Sequence, residues 1–278
     1  MSEHGCLYVV ATPIGNLGDI SQRAIDTLGS VEIILAERPS HSKKLLNHLN
    51  IAGCQVLPYQ DQNEQKMTQL AVSRLKGGSD IALISDAGTP LVSDPGYRLI
   101  QQIHLEGLTV KSVPGPCALI SALSIAGIAM DRFIFLGFLP AREHARKEVM
   151  QRTDELGFSF AYYESPHRLL RSIQALKEVV GKSRKVAVVK ELTKINEYVL
   201  SASSEVVEQY LMAQDVIKGE WVILVEGAPV ISSEYPKQLA VDMAAHVGAN
   251  VTSKLISEHY NVSKNKVYQD LLNSSKMG

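Results

Sequence analysis

Short apolar runs alternate with stretches of helical spacing from the first residues of the chain. Residues 7–11, 31–36, 81–85 and 109–113 have the length and β-branched content of buried strands. Residues 19–28, 41–49, 61–75 and 96–105 carry the apolar spacing of helices between them. Strand, loop and helix repeated in this order predict a mostly parallel sheet covered on both faces. The second half repeats the alternation less regularly. Strands are predicted at 133–138, 159–163, 185–191, 197–201 and 221–226, with helices at 144–155, 167–179 and 205–212. This fits a second α/β domain with a mixed sheet. After Pro229 the pattern changes again: 235–278 has no strand-like run and reads as two or three short helices, with Ser263 placed to cap one. The expected organisation is an N-terminal α/β domain over 1–113, a second α/β domain over 114–232 and a helical region over 233–278.

Composition narrows the class. A chain of 278 residues, 45% hydrophobic and 21% charged, fills one large or two ordinary domains and is not disordered as a whole. Residues 112–130 carry no charge, but Pro114, Gly115, Pro116 and three serines interrupt them, so a buried helix is expected there rather than a membrane span. The first five residues lack the basic and apolar regions of a signal peptide, and a cytoplasmic protein is expected. Cys6, Cys54 and Cys117 are scattered and odd in number, which argues against a disulfide scaffold or a cysteine zinc site. A net charge of −1 excludes a uniformly basic binder. Residues 142–197, however, hold 12 Lys/Arg against 8 Asp/Glu, while the rest holds 16 against 21. That asymmetry suits an anionic partner on one surface, and equally a solvated helical face.

Three loops that follow predicted strands are rich in Gly, Pro and small residues: Ala11-Thr-Pro-Ile-Gly-Asn-Leu-Gly-Asp19, Ser85-Asp-Ala-Gly-Thr-Pro90 running on to Ser93-Asp-Pro-Gly96, and Val113-Pro-Gly-Pro-Cys-Ala118. In an open α/β sheet, ligands sit outside the carboxyl ends of the strands, where Gly and Pro let backbone approach them. The common nucleotide and hydrolase motifs are missing. Gly15-Asn-Leu-Gly18 is not a dinucleotide fingerprint, and Leu176 stands where a P-loop ending in Gly181-Lys-Ser183 needs glycine. No zinc-protease helix motif or nucleophile elbow occurs, and His41 and His48 lack a third ligand. A small-molecule cofactor read largely by backbone remains.

At these loops the chain resembles the tetrapyrrole-methylase type of S-adenosylmethionine (SAM) methyltransferase. The likeness is closer still to the ribosomal RNA small subunit methyltransferase I family, through Thr12-Pro-Ile-Gly-Asn-Leu17, Gly137-Phe-Leu-Pro140, Tyr163-Glu-Ser-Pro-His-Arg-Leu169, Glu191-Leu-Thr-Lys194 and Lys218-Gly-Glu220. It spans nearly the whole chain. The resemblance implies a class III fold, two α/β domains with SAM in the cleft between them and a small helical C-terminal region. It also implies methylation of a cytidine ribose 2′-hydroxyl in the decoding centre of 16S rRNA, the 30S small subunit as partner, and a homodimer. Carried over residue by residue, it places Ile14, Asp86, Ala87, Gly88, Val92, Cys117, Ala118, Glu164 and Gly227 at the cofactor. One segment departs: where the family usually reads Ala-Glu-Asp-Thr-Arg-His, this chain has Ala36-Glu-Arg-Pro-Ser-His41. A family Asp is lost, and Pro39 restricts Arg38 to extended backbone.

SAM carries its own activated methyl group, so the protein must supply binding, alignment and electrostatics. A ribose hydroxyl is a weak nucleophile, and a base would help it. Glu37, Glu191 and His41 are candidates; Lys194, like Lys190, serves as a base only with a lowered pKa and otherwise suits a phosphate. Structural roles, as strand-end ion pairs or helix-start hydrogen bonds, are open for each. Arg142, Arg146, Lys147 and Arg168 form an expected RNA-facing group, against the plainer reading of a solvated basic face. No metal site is expected. Two other readings stay open: methylation of a small, tetrapyrrole-like molecule, and a SAM- or rRNA-binding paralogue impaired in turnover by the altered 38–40 segment.

Overall fold

The computed structural model describes residues 4–228, 235–260 and 262–274. The first sheet comprises β1 (Cys6–Val10), β2 (Ile33–Ala36), β3 (Gln55–Pro58), β4 (Ile81–Ile84) and β5 (Thr109–Val113). All pairings are parallel, in the order β3-β2-β4-β1-β5. Helices α1 (Gln22–Ser30), α2 (Pro39–His48), α3 (Glu64–Lys76) and α4 (Tyr97–Leu105) connect the strands. Strand residues alternate between two cores, as a period of two requires. Leu7, Ile33, Leu35, Ile81 and Leu83 pack toward α3 and α4. Val10, Ile34, Ala36, Ala82 and Ile84 pack toward Ala24 and Leu28 of α1 and Leu46 of α2. From β2 the chain moves outward to β3, and from β4 it crosses the other way to β5. The crevice at the carboxyl ends of β2 and β4 is therefore a topological switch point, where α/β folds bind ligands.

The second sheet comprises β6 (Phe133–Phe138), β7 (Ser159–Glu164), β8 (Lys185–Lys190), β9 (Tyr198–Ser203) and β10 (Trp221–Val225), in the order β6-β7-β10-β8-β9. β6 and β7 are parallel, and β10 runs antiparallel to both β7 and β8. α6 (Glu143–Asp154), α7 (Leu169–Val180) and α8 (Ser204–Met212) cover one face over Phe160, Tyr162, Val188 and Ile223. The other face receives α5 (Ala118–Ile125), through Leu119 and Ala122 against Ala161, Val222 and Leu224. That packing accounts for the uncharged stretch: it is a helix wedged under a sheet. Among the described residues no helix is long and apolar enough to cross a membrane.

The pattern missed β3, a four-residue edge strand ending in proline, and began the helix at 61–75 three residues early. The tail holds α9 (Lys237–Val247), α10 (Ala249–Tyr260) and α11 (Lys264–Ser274), which share a core of Ala240, Ile256, Val267 and Leu271. The Ser263 hydroxyl accepts the Lys266 N–H at 3.5 Å, as a cap does. Pro229 and the expected boundary after 232 lie outside the described residues.

Candidate active site

Backbone hydrogen bonds knit the three Gly/Pro loops together. Thr12 and Gly88 exchange N–H to carbonyl bonds of 2.9 and 3.0 Å, and the Thr89 hydroxyl donates to the Pro116 carbonyl at 3.0 Å. Gly88 has φ +85°, and a Cβ there would meet Ile14 at 3.3 Å, so the loops approach as closely as glycine allows. Leu91 and Ser93 also take positive φ, of 73° and 68°, which concentrates backbone strain beside the crevice.

The loops open on a cavity of 540 Å3 whose far wall comes from the second sheet. Ile14, Asp86, Ala87, Gly88, Val92, Cys117 and Ala118 line it from the first sheet's loops, and Glu164, Leu192 and Trp221 from the second. Eight of the nine positions expected at the cofactor are thus brought together. Gly227 is not among them. It follows the carboxyl end of β10, and β10 is antiparallel to β7, so that end points away from the cavity. Gly219, Glu220, Trp221 and Val222, at the amino end of β10, line the wall instead. Gly227 is needed for packing: a Cβ there would lie 2.5 Å from the Gly157 carbonyl oxygen.

The acids in the wall differ in their partners. Asp86 is ion-paired with the Arg38 Nε, and His41 Nδ1 lies 3.6 Å from its other oxygen, which is buried without a hydrogen bond. Arg38 does take extended backbone, φ −125°, ahead of Pro39 at the start of α2. Glu164, fully buried in its side chain, accepts from Arg168 Nη2 at 2.7 Å and from the Ser165 N–H at 2.8 Å through Oε1, leaving Oε2 without a partner. Burial pushes the Asp94 carboxyl up to about 6; the Ser85 hydroxyl works against that, while the charges of Glu37 and Asp86 add to it. Burial likewise holds the Tyr163 phenol up to about 12. Tyr163 lines the cavity beside Phe138, ring centroids 5.5 Å apart, whereas Tyr162 points into the opposite core.

Of the candidate bases, Glu37 and His41 line the cavity, and Glu191 and Lys194 stand outside it. Lys194 Nζ reaches Glu191 Oε1 at 2.9 Å and Glu220 Oε2 at 3.0 Å. Desolvation opposes the charge of this lysine, but its two carboxylate partners outweigh that and raise its pKa. Lys194 is therefore a held cation, not a free amine base. Glu191 is held ionised in turn: burial works against it, and the Glu220 N–H and Lys194 prevail. Lys194 also borders a smaller cavity of 360 Å3 with His41, Lys44 and Asp86.

The four expected RNA-facing residues divide. Arg142 is exposed at the start of α6. Arg146 is a correction: it shares the inward helix face with Met150 and Thr153, is only 3% exposed, and donates to the Ala141 carbonyl at 3.3 Å. Lys147 is paired with Glu143 and Glu178, and Arg168 with Glu164. Sequence reading passed over Asp94, Phe138, Ser165 and the entry to β10. Asp94 was visible within Ser93-Asp-Pro-Gly96; the β10 entry was not, because strand direction leaves no mark on a five-residue apolar run.

A parallel sheet whose carboxyl-end loops face a mixed sheet across an acid-lined cavity defines a class, the methyltransferases built from two α/β units. The profile of the Tetrapyrrole (Corrin/Porphyrin) Methylases matches residues 6–208. Ribosomal RNA small subunit methyltransferase I of Haemophilus influenzae is 41% identical over 272 residues, 95% of each chain. The chain belongs to the tetrapyrrole methylases and, within them, to the ribosomal RNA small subunit methyltransferase I family; it is a SAM-dependent methyltransferase. Solved structures bear out the fold. Diphthine synthase aligns with TM-score 0.64 at 13% identity, covering 80% of this chain and 90% of that one. Uroporphyrin-III C-methyl transferase from Thermus thermophilus, complexed with S-adenyl homocysteine, aligns with TM-score 0.55 at 16% identity, covering 79% and 97%.

Proposed function

We propose that this enzyme methylates the ribose 2′-hydroxyl of a decoding-centre cytidine in 16S rRNA, on the 30S subunit, with SAM bound in the 540 Å3 cavity. The observation that carries the cofactor assignment is a pair of buried acceptors without a hydrogen bond, Asp86 Oδ1 and Glu164 Oε2, on opposite walls of that cavity. Such atoms call for donors, and SAM brings ammonium and hydroxyl groups to them. The volume suits a nucleoside-sized ligand, for which pockets of roughly 300–1,000 Å3 are usual. The cofactor, when bound, supplies a methyl group on a cationic sulfur.

The chain's residues do the rest. Ile14, Val92, Leu192 and Val222 provide an apolar lining that excludes water. Gly88 lets backbone close on the ligand, and Asp86 and Glu164 orient it from both sides. Holding two reactants in line contributes up to roughly 7–11 kcal/mol in the best-oriented systems. Arg142, exposed at the head of α6, and Lys44 beside the smaller cavity offer cations to the RNA backbone. A homodimer would cover exposed apolar side chains such as Ile120 and Ile125 of α5 and Phe138 at the cavity rim.

The test is methyl transfer from labelled SAM to 30S subunits lacking the modification, with mapping of the labelled nucleotide. Label on a decoding-centre cytidine ribose is expected. Label on a base, on another RNA or only on a small tetrapyrrole overturns the substrate assignment. Absence of label from a folded protein that binds SAM also overturns this assignment, in favour of another substrate or of lost turnover.

A further inference from the structure

Five carboxylates line the cavity: Glu37, Asp86, Asp94, Glu164 and Glu220. Three are held by cations, Asp86 by Arg38, Glu164 by Arg168 and Glu220 by Lys194. A carboxylate so engaged is a poor proton acceptor, because protonation breaks its ion pair. Asp94 and Glu37 have no cationic partner among the described residues. Their placement differs. Glu37 directly follows β2, at the carboxyl end of the first sheet. Asp94 sits where the two sheets meet: the neighbouring Ser93 hydroxyl lies 3.2 Å from where a Cβ on Gly137 of β6 would stand. Its backbone path is also set. Leu91, Ser93 and Gly96 all take positive φ, and Gly96 packs within 3.1–3.2 Å of Leu83 and Leu91 at the position a Cβ would fill. A carboxylate is thereby held in the wall of the cavity that Tyr163 and Phe138 also line.

We propose that Asp94 is the general base of methyl transfer, taking the proton of the substrate hydroxyl. This rests on the reading that the acceptor is a ribose hydroxyl. In the step, the hydroxyl oxygen forms its bond to the methyl carbon as the carbon–sulfur bond breaks, and that bonding pair stays on sulfur, which leaves as a neutral thioether. The hydroxyl proton passes to an Asp94 carboxylate oxygen and is lost to solvent when the product departs. The groups around Asp94 tune it. The Ser85 hydroxyl, at the end of β4, holds the ionised form; the charges of Glu37 and of Asp86 disfavour it. Tyr163 faces it from β7, and Arg38 and His41 reach it only through Asp86. The balance leaves Asp94 at about 6, ionised at neutral pH yet basic enough to accept a proton. Arg38 occupies Asp86 and so leaves Asp94, with Glu37, among the unpaired acids of the cavity.

The experiment compares wild type, Asp94→Asn and Glu37→Gln in single-turnover transfer to unmodified 30S subunits from pH 5 to 8. SAM binding and the carboxyl resonance of Asp94 in the SAM-free protein are measured alongside. Asp94→Asn is expected to slow transfer about 100- to 10,000-fold, with SAM affinity kept within about twofold. The wild-type rate should climb with pH and level off above about 6. Glu37→Gln removes a neighbouring negative charge and should move both the rate midpoint and the Asp94 resonance midpoint to lower pH. Asp94→Asn within about threefold of wild type, a pH rise that survives that substitution, or midpoints unmoved in Glu37→Gln would each overturn the assignment. Failure of wild type to label the ribose defeats the substrate reading, and the base with it. A normal wild type beside an unimpaired Asp94→Asn defeats the base alone.

Discussion

Glu164 at the end of β7 and Arg168 ahead of α7 form an ion pair, the acid fully buried and the arginine 28% exposed in its side chain. Removing only the arginine leaves a charge in the interior with nothing to offset its lost hydration. Arg168→Met is expected to cost about 3–5 kcal/mol in urea unfolding, and Glu164→Gln in the same chain should restore most of it. A single variant within about 1 kcal/mol of wild type would mean that Glu164 is hydrated. Asp94 gives a prediction of opposite character. Its folded value, about 6, lies above that of an unfolded aspartate, so the folded state binds the proton more tightly. Stability from this group is therefore lost as pH rises from about 4 to about 6. Asp94→Asn should gain on wild type in melting temperature across that window and hold the gain above it. A difference that stays flat with pH would show that Asp94 is not shifted. An acid that destabilises the fold is one cost a functional site can carry.

The elements were legible in proportion to their burial. β2 and β4, buried on both faces, read as continuous apolar runs, whereas the apolar spacing starts α1 three residues early, because it does not reveal the cap, Ser21, whose hydroxyl accepts the Ala24 N–H at 3.1 Å. The loops after β1, β4 and β5 stood out because close backbone approach demands Gly and Pro. β3 was invisible because an edge strand of four residues needs no apolar face. The direction of β10 was invisible too, because hydrogen-bond pattern, not side-chain pattern, distinguishes parallel from antiparallel pairing. That is why Gly227 was expected at the cofactor and Gly219 to Val222 were not. The correction is testable. Gly227→Ala sets a Cβ against the Gly157 carbonyl and should destabilise the second sheet by about 1–3 kcal/mol, while the folded fraction keeps its SAM affinity. A tenfold weaker affinity in fully folded protein would return Gly227 to the site. Arg146 was misread for a related reason. Charge alone put it on the surface, but its spacing with Met150 and Thr153 puts it on the buried stripe of α6.

At the scale of the whole molecule, the cavity lies between two sheets whose main cores are separate and which share only the cluster around Ile14. The tie between them is already begun without a ligand. The Lys194 stem, carried by the turn after β8, lies 2.5 Å from where a Cβ on Gly15 would be, so the first loop is pressed against the second unit. Lys194 is itself fixed by Glu191 and Glu220. A ligand gripped by Asp86 from one side and Glu164 from the other must stabilise both units at once. SAM at 100 times its dissociation constant should add about 2.7 kcal/mol to the folded state, raising the melting temperature of the two-sheet body by roughly 5–10 °C in one transition. Helices α9 to α11 pack chiefly on one another, so their melting should not follow. Calorimetry with and without SAM decides the matter. Two transitions for the sheets, with only the first moved, would confine the ligand to the loops of the first sheet and remove Glu164 and Trp221 from the site.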